Sequence, residues 1–337
     1  MKRIIFLVSV VFFITGCSDD SSSVSGPTTS SSYVFVACEG NYGASNGTVY
    51  MVDEYGNTSS IGSLGDVVQS VEVHGNKLFV IVNNSHRIMV YDITENGISE
   101  PGIEVSTGNS SPREMVVLDD KVYFTNWNTQ DVKVLNLFTY QIESPLVLTG
   151  LPEDIITDGE YLYVSMPNLA LYDQNLGSEV VKIDPLSMSV LETYNVGLGP
   201  ESLLLFNDEV YVARKNYSMD WNTVYYGSSK ISNGVVTSSN YGTGVACGGS
   251  ILSSNGMVYR TYDGGVAPLN NDLDINTFSR IGDYGSGSIY HAEEINGFIW
   301  LGLTDNTVRV INNNGAEVGF YSVGAYPGDF AVWNNQD

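Results

Sequence analysis

Amide side chains sit beside aromatic rings in several turn-like stretches of this chain: Asn41-Tyr42, Asn83-Asn84-Ser85-His86 and Asn126-Trp127-Asn128. Two longer stretches, Pro167 to Ser178 and Lys215 to Tyr226, carry Tyr172 and the pair Tyr217 and Trp221. Ring faces stack and amides both donate and accept hydrogen bonds, so the combination suits recognition of a large polar ligand. Asn41, Asn83, Asn126 and Arg113 are expected to supply polar contacts, and Tyr42, Trp127, Tyr172, Tyr217, Trp221 and Tyr262 stacking or covering contacts. His86, Arg214 and Tyr290 complete the candidate ligand-binding set.

Catalysis needs convergent groups of matched proton affinity. The acids Glu39, Asp66, Glu114, Glu153, Asp154, Glu201, Asp263 and Asp329 could hold a metal or act as bases, but capping of turns is the simpler expectation for them. No Gly-x-Ser-x-Gly, dinucleotide fingerprint or Cys-x-x-Cys occurs, and His74, His86 and His291 lie far apart in sequence. The sequence therefore points to a binder, names no cofactor, metal ligand or catalytic residue, and leaves open whether a metal is bound. Gly242-Thr-Gly-Val-Ala-Cys-Gly-Gly lacks the lysine of a phosphate-binding loop and is expected to be a tight link near the molecular axis.

The ends and the composition bound the setting. MKRIIFLVSVVFFITG, residues 1–16, has a basic start and an apolar run ending in small residues, the pattern of an export signal. Ile14-Thr15-Gly16-Cys17 matches a bacterial lipobox, so Cys17 is expected to carry lipid, and the Ser-rich 17–32 to serve as a tether. An acylated chain with no later long apolar run meets a membrane only through its lipid. Asp19 and Asp20 resemble the surface-export tag of certain bacterial lipoproteins, which implies an outer-membrane lipoprotein displayed at the cell surface; a periplasm-facing one stays open. Net charge is -24, and loss of Lys2 and Arg3 with the signal takes it to -26, which repels nucleic acid. Cys38 and Cys247 are too few for a disulfide framework and read as buried small hydrophobes or as one bridge.

What positions these residues is a repeat. HGNKLFVIV, LDDKVYFTN, DGEYLYVSM, FNDEVYVAR, SNGMVYRTY and INGFIWLGL each join a turn pair to a short alternating strand, and SYVFVAC repeats the strand alone. Their aromatics, Phe35, Phe79, Tyr123, Tyr163, Tyr211, Tyr259 and Trp300, are spaced by 44, 44, 40, 48, 48 and 41 residues and should pack between neighbouring sheets. A strand often opened by proline precedes each turn, as in PREMVVL, PESLLLF and PGDFAVW. A third ends in Asp or Asn, as in TVYMVD and RIMVYD, and a weaker fourth follows. Seven units of four strands predict an all-β, seven-bladed β-propeller over 33–337, its last blade closed by N- and C-terminal strands. Second-to-third connections, and the links leading into each innermost strand, then gather on one face around the central channel.

EGNYGASNGT, residues 39–48, resembles the EGN-aromatic-G signature of the YncE-like propeller lipoproteins, and Ser111 to Met115 and Tyr123 to Trp127 resemble that group as well. The resemblance runs from about Tyr33 to the end and takes in the BtuG-type surface proteins. It implies capture of cobalamin or a related corrinoid and delivery to a TonB-dependent outer-membrane transporter, with Asn41, Tyr42, Asn126 and Trp127 at the matched positions. Two other readings stay open: a metal-dependent lactonase or lyase that uses the channel acids, and an adhesin or protein-interaction scaffold.

Overall fold

Asn207-Asp208, Asn255-Gly256 and Asn296-Gly297 each hold both residues at positive φ. This is the type I′ geometry whose twist matches two antiparallel strands. The turns join Pro200–Phe206 to Glu209–Tyr217, Ile251–Ser254 to Met257–Tyr262 and Ile289–Ile295 to Phe298–Leu303. In the computed structural model, which describes residues 32–171, 175–243 and 249–335, seven antiparallel sheets are built on such hairpins. The signal 1–16, Cys17 with nearly all of the tether, Tyr172, Cys247 and the middle of the glycine-rich link lie outside the described residues.

We label the sheets blades A to G. Their innermost strands are Val68–His74 in A, Pro112–Leu118 in B, Ile155–Thr157 in C, Pro200–Phe206 in D, Ile251–Ser254 in E, Ile289–Ile295 in F and Pro327–Asn334 in G. Each innermost strand touches the next, and G returns to A, so the seven enclose a channel. Six blades have four strands. Blade E has three among the described residues, and single bridges, Val266 to Ile281 and Leu269 to Ile275, occupy its outer edge.

The ends meet as expected: Ser32–Cys38 pairs antiparallel with Pro327–Asn334, from Ser32 opposite Asn334 to Cys38 opposite Pro327, and with Thr48–Asp53 on its other side. No sheet edge is left open at the ring closure. Tyr33 and Trp333 stack at 6.0 Å across the join, and the Trp333 indole donates to Asn76 Oδ1 of blade A at 3.0 Å. Cys38 is a buried thiol in this blade, and burial pushes its pKa up to about 12.

Among the described residues the core is a chain of seven clusters between blades rather than one central mass. Phe35 of G packs with Val71, Leu78 and Val80 of A, Phe79 of A with Val122 and Phe124 of B, and Tyr123 of B with Leu162 and Val164 of C. Tyr163, Tyr211, Tyr259 and Trp300 repeat the arrangement around the ring, each against the following blade. Polar clasps cross the same seams near the axis. Asp329 of G accepts the Val71 N–H of A at 2.8 Å, Asp154 of C the Leu203 N–H of D at 2.6 Å, and the Ser250 hydroxyl oxygen of E the Ala292 N–H of F at 3.0 Å.

Candidate functional site

Proline or a small apolar residue starts the innermost strands, and just behind it the pairing to the second strand skips a residue. The register shifts between Val68 and Ser70, Pro112 and Met115, Pro200 and Ser202, and Ile289 and His291. In blade G the shift places Gly328 outside the ladder, between Pro327 and Asp329. Each shift is a β-bulge, which releases the extra residue from alternation and lets two consecutive side chains face the axis. Two tiers of groups therefore ring the channel. The upper tier holds Gln69, Arg113, Glu153, Glu201 and Tyr290, and the lower Ser70, Glu114, Asp154, Ser202, Ser250, His291 and Asp329.

The channel has a volume of about 520 Å³ and is dominated by carboxylates, with Glu39, Glu72, Glu293 and Glu294 joining the tiers. Its cationic groups are already engaged. Arg113 binds Glu153 with two guanidinium nitrogens and Gln69 Oε1 at 2.6 Å, while Lys215 pairs with Glu201 at 3.3 Å. The Arg113 guanidinium is largely desolvated, yet the Glu153 charge outweighs that and holds its pKa above the ordinary value. Burial, followed by the charges of Asp329, Asp154 and Glu153, raises Glu114 well above the carboxylate range. Burial alone is the main cause for Asp154, pushed up to about 6, and for Glu72, pushed up to about 8 with help from Asp329 and Glu293. Glu39 rises by burial too, although the Tyr290 hydroxyl, donating to Glu39 Oε1 at 2.6 Å, and Arg113 pull it back.

Above the channel a mouth of about 430 Å³ opens, lined by Tyr42, Asn83, Asn84, Arg113, Trp127, Tyr290 and Tyr326 among others. Arg113 lies 4.2 Å over the Trp127 ring, and Tyr290 and Tyr326 face each other at 5.4 Å. Tyr42 projects from the closing-blade turn and is 77% exposed. The Trp127 indole nitrogen is sealed from water and has no hydrogen-bond partner among the described residues. Next to the mouth, and sharing Trp127 with it, a narrower cleft of about 270 Å³ is walled by Leu171, Lys215, Tyr217, Met219 and Trp221. The Tyr217 and Trp221 rings lie 5.6 Å apart there.

Of the residues expected from the sequence, Tyr42, Asn83, Arg113, Trp127 and Tyr290 meet at the mouth, and Tyr217 and Trp221 stand beside them. Asn41 is exposed on the same turn, where its N–H bonds Asn46 Oδ1 at 2.8 Å and so shapes the loop that presents Tyr42. Other placements depart from expectation. Asn126 is fully buried, and its amide is used by Ser110, the Phe124 carbonyl at 3.1 Å and the Asp131 carbonyl at 3.4 Å, so it braces the turn that carries Trp127. His86 Nδ1 accepts the Ser111 N–H at 3.1 Å and spends itself holding the link into blade B. Arg214 faces a separate cavity of about 490 Å³ and is bound to Ser239 O and Asn240 Oδ1 at 2.9 and 2.7 Å. Tyr262 is half-buried at the end of its strand and lines none of these four cavities.

No protein-family model matches the chain, and no curated protein does. Solved structures do, at low identity. A Bacteroides fragilis protein provisionally assigned as a 6-phosphogluconolactonase has a TM-score of 0.65 at 13% identity, over 91% of this chain and 99% of that one. A Lactobacillus plantarum protein has a TM-score of 0.65 at 12% identity, over 91% and 100%. Apo AztD from Citrobacter koseri has a TM-score of 0.58 at 11% identity, over 90% and 98%. These likenesses establish the propeller fold.

Sequence reading passed over the axial groups of blade F, His291 and Glu293, and over Glu72. A usable signal was present. Aligning the segments that enter the innermost strands on Pro112, Pro152, Ile289 and Pro327 puts Glu114, Asp154, His291 and Asp329 in one column, two places behind.

Proposed function

We propose that this chain is a small-molecule-binding lipoprotein whose ligand lies across the propeller mouth, with a corrinoid such as cobalamin as the best candidate. The observation that carries the reading is the mouth itself. A guanidinium pinned between Trp127, Glu153 and Gln69 shares the opening with the Tyr290–Tyr326 pair, an exposed Tyr42 and the amides of Asn83 and Asn84, whose NH2 groups are held by the Pro112 carbonyl and Asp66. A corrin macrocycle is flat and rimmed with amides, so ring faces and side-chain amides complement it, and it is too bulky to descend the channel. On this reading Cys17 carries the lipid that holds the chain at the outer membrane, and a TonB-dependent transporter receives the ligand. Titration of the protein with cyanocobalamin, followed by heat and by visible absorbance, tests the ligand; absence of both signals at about 100 μM, a concentration that reveals binding down to about 5 kcal/mol, removes the corrinoid. Loss of metabolic palmitate labelling in Cys17→Ser tests the anchor, and co-purification of a transporter tests the hand-over.

A second reading follows from the channel acids directly below the mouth and the likeness to the provisionally assigned lactonase: a lactonase- or lyase-type enzyme. Turnover of lactone or uronate-polymer substrates by the protein, abolished by a channel substitution such as Glu114→Gln, would replace the binding reading.

A further inference from the structure

Where blade F meets blade G, the channel wall holds three groups that can each offer one ligand atom: His291, Glu293 and Asp329. These atoms lie within 4.8 Å of one another, and His291 Nε2 stands 3.8 Å from Glu293 Oε2, too far for a hydrogen bond. Nε2 is sealed from water and has no hydrogen-bond partner among the described residues. A polar nitrogen left in that state carries a desolvation cost that a ligand would remove. Asp329 is already oriented, because one oxygen accepts the Val71 N–H at 2.8 Å and the other the Phe330 N–H at 2.9 Å, and the Ser70 side chain adds a further hydrogen bond. Outer hydrogen bonds of this kind fix metal-binding carboxylates in place.

We propose that His291, Glu293 and Asp329 form a binding site for a divalent cation of the zinc class. The donor set decides the class. One imidazole nitrogen with two carboxylates suits Zn²⁺ and its first-row neighbours, whereas Ca²⁺ requires 6–8 oxygens. Bonds of about 2.0–2.2 Å in a tetrahedral arrangement place ligand atoms somewhat closer than they stand here, so the trio closes slightly on the ion and leaves a position open toward the channel. The surroundings favour a cation as well. Glu72, Glu114 and Asp154 line the same channel, and the cationic groups Arg113 and Lys215 are committed to Glu153 and Glu201. The proposal stands whether the mouth above is a binding site or a catalytic one, so failure of cyanocobalamin to bind leaves it intact.

Calorimetric titration of the metal-free protein with ZnCl₂ is expected to show roughly one equivalent bound, and Co²⁺ in its place to give a visible ligand-field absorption. His291→Gln and Glu293→Gln should each weaken Zn²⁺ at least about tenfold and abolish the Co²⁺ spectrum, in line with the sensitivity of metal sites to loss of a ligand. The double variant Glu201→Gln/Lys215→Met, which removes the blade D ion pair as a whole and leaves the net charge of the channel as it was, should leave both unchanged. Because Glu293 makes no structural clasp, its variant keeps the test usable if His291→Gln fails to fold. The assignment is overturned if Zn²⁺ does not bind at about 1 mM, a concentration that detects even about 4 kcal/mol. It is equally overturned if the two single variants bind as the parent does, or if the double variant weakens Zn²⁺ as much as they do, since the ion would then not rest on the trio.

Discussion

At the residue scale two neighbours in sequence, Asn126 and Trp127, divide the work between holding the turn and meeting the ligand. Asn126 has no exposed atom to offer and three hydrogen-bonding neighbours to lose, so Asn126→Ala is expected to cost about 1–3 kcal/mol of stability. Chemical unfolding should register that loss while the affinity for cyanocobalamin, measured on the folded fraction, stays unchanged. Trp127→Ala should reverse the pattern, because its ring carries Arg113 on one side and borders both the mouth and the narrower cleft. Affinity for cyanocobalamin is expected to drop by about tenfold or more, the weight of a central aromatic contact. Arg113→Ala does something different again. It strands the Glu153 carboxylate, 15% exposed, without its partner, and removal of one member of such a buried pair costs about 3–5 kcal/mol. A variant as stable as the parent in urea unfolding would show that the pair contributes nothing net to the fold.

At the scale of elements, the legible features were those fixed by local chemistry. Turn pairs such as Asn255-Gly256 need positive φ, and the alternation behind them needs one buried face, so strands, blade number and the closure of Pro327–Asn334 on Ser32–Cys38 could all be read from residues alone. The seven register aromatics landed between blades for the same reason. The axial tiers could not be read this way, because a bulge breaks the period of two on which strand reading depends. Tyr290 and His291 are neighbours in sequence, so strict alternation sends one of them away from the axis, yet both face it. Asn126 was misplaced by a related effect: its position next to a turn suggested exposure, while pairing to Pro112 and Asp131 on both sides encloses it. The clasps between blades also belong to this scale. Ser250→Ala leaves the buried Ala292 N–H without an acceptor and is expected to cost about 1–3 kcal/mol. Hydrogen exchange should then rise at the seam between blades E and F; equal exchange in variant and parent would remove the clasp from the account.

At the scale of the whole molecule, the ring concentrates acids where water is scarce, and this reverses the usual relation between pH and stability. Glu39, Glu114 and Asp154 all bind protons more tightly folded than unfolded, Asp154 up to about 6, chiefly through burial. Facing Glu114 are Gln69, Arg113, Glu153, Asp154 and Asp329, and the single cation among them is held by Glu153. Between about pH 4 and each folded pKa the native state therefore holds more protons than the unfolded chain, so the free energy of unfolding falls as pH rises through that window. The contribution is complete below the unfolded pKa and lost above the folded one. Exposed acids with lowered pKa, such as Asp184 and Asp220, act oppositely, but only at more acidic pH, Asp220 near 2. In the presence of a chelator, the urea midpoint of the protein is thus expected to be higher at pH 5.5 than at pH 8. Glu114→Gln, which carries no charge to suppress, should flatten that slope. A midpoint that climbs steadily from pH 5.5 to 8 would mean that the channel carboxylates are neutralised by partners rather than by protons, and that the ring does not impose the electrostatic cost its geometry implies.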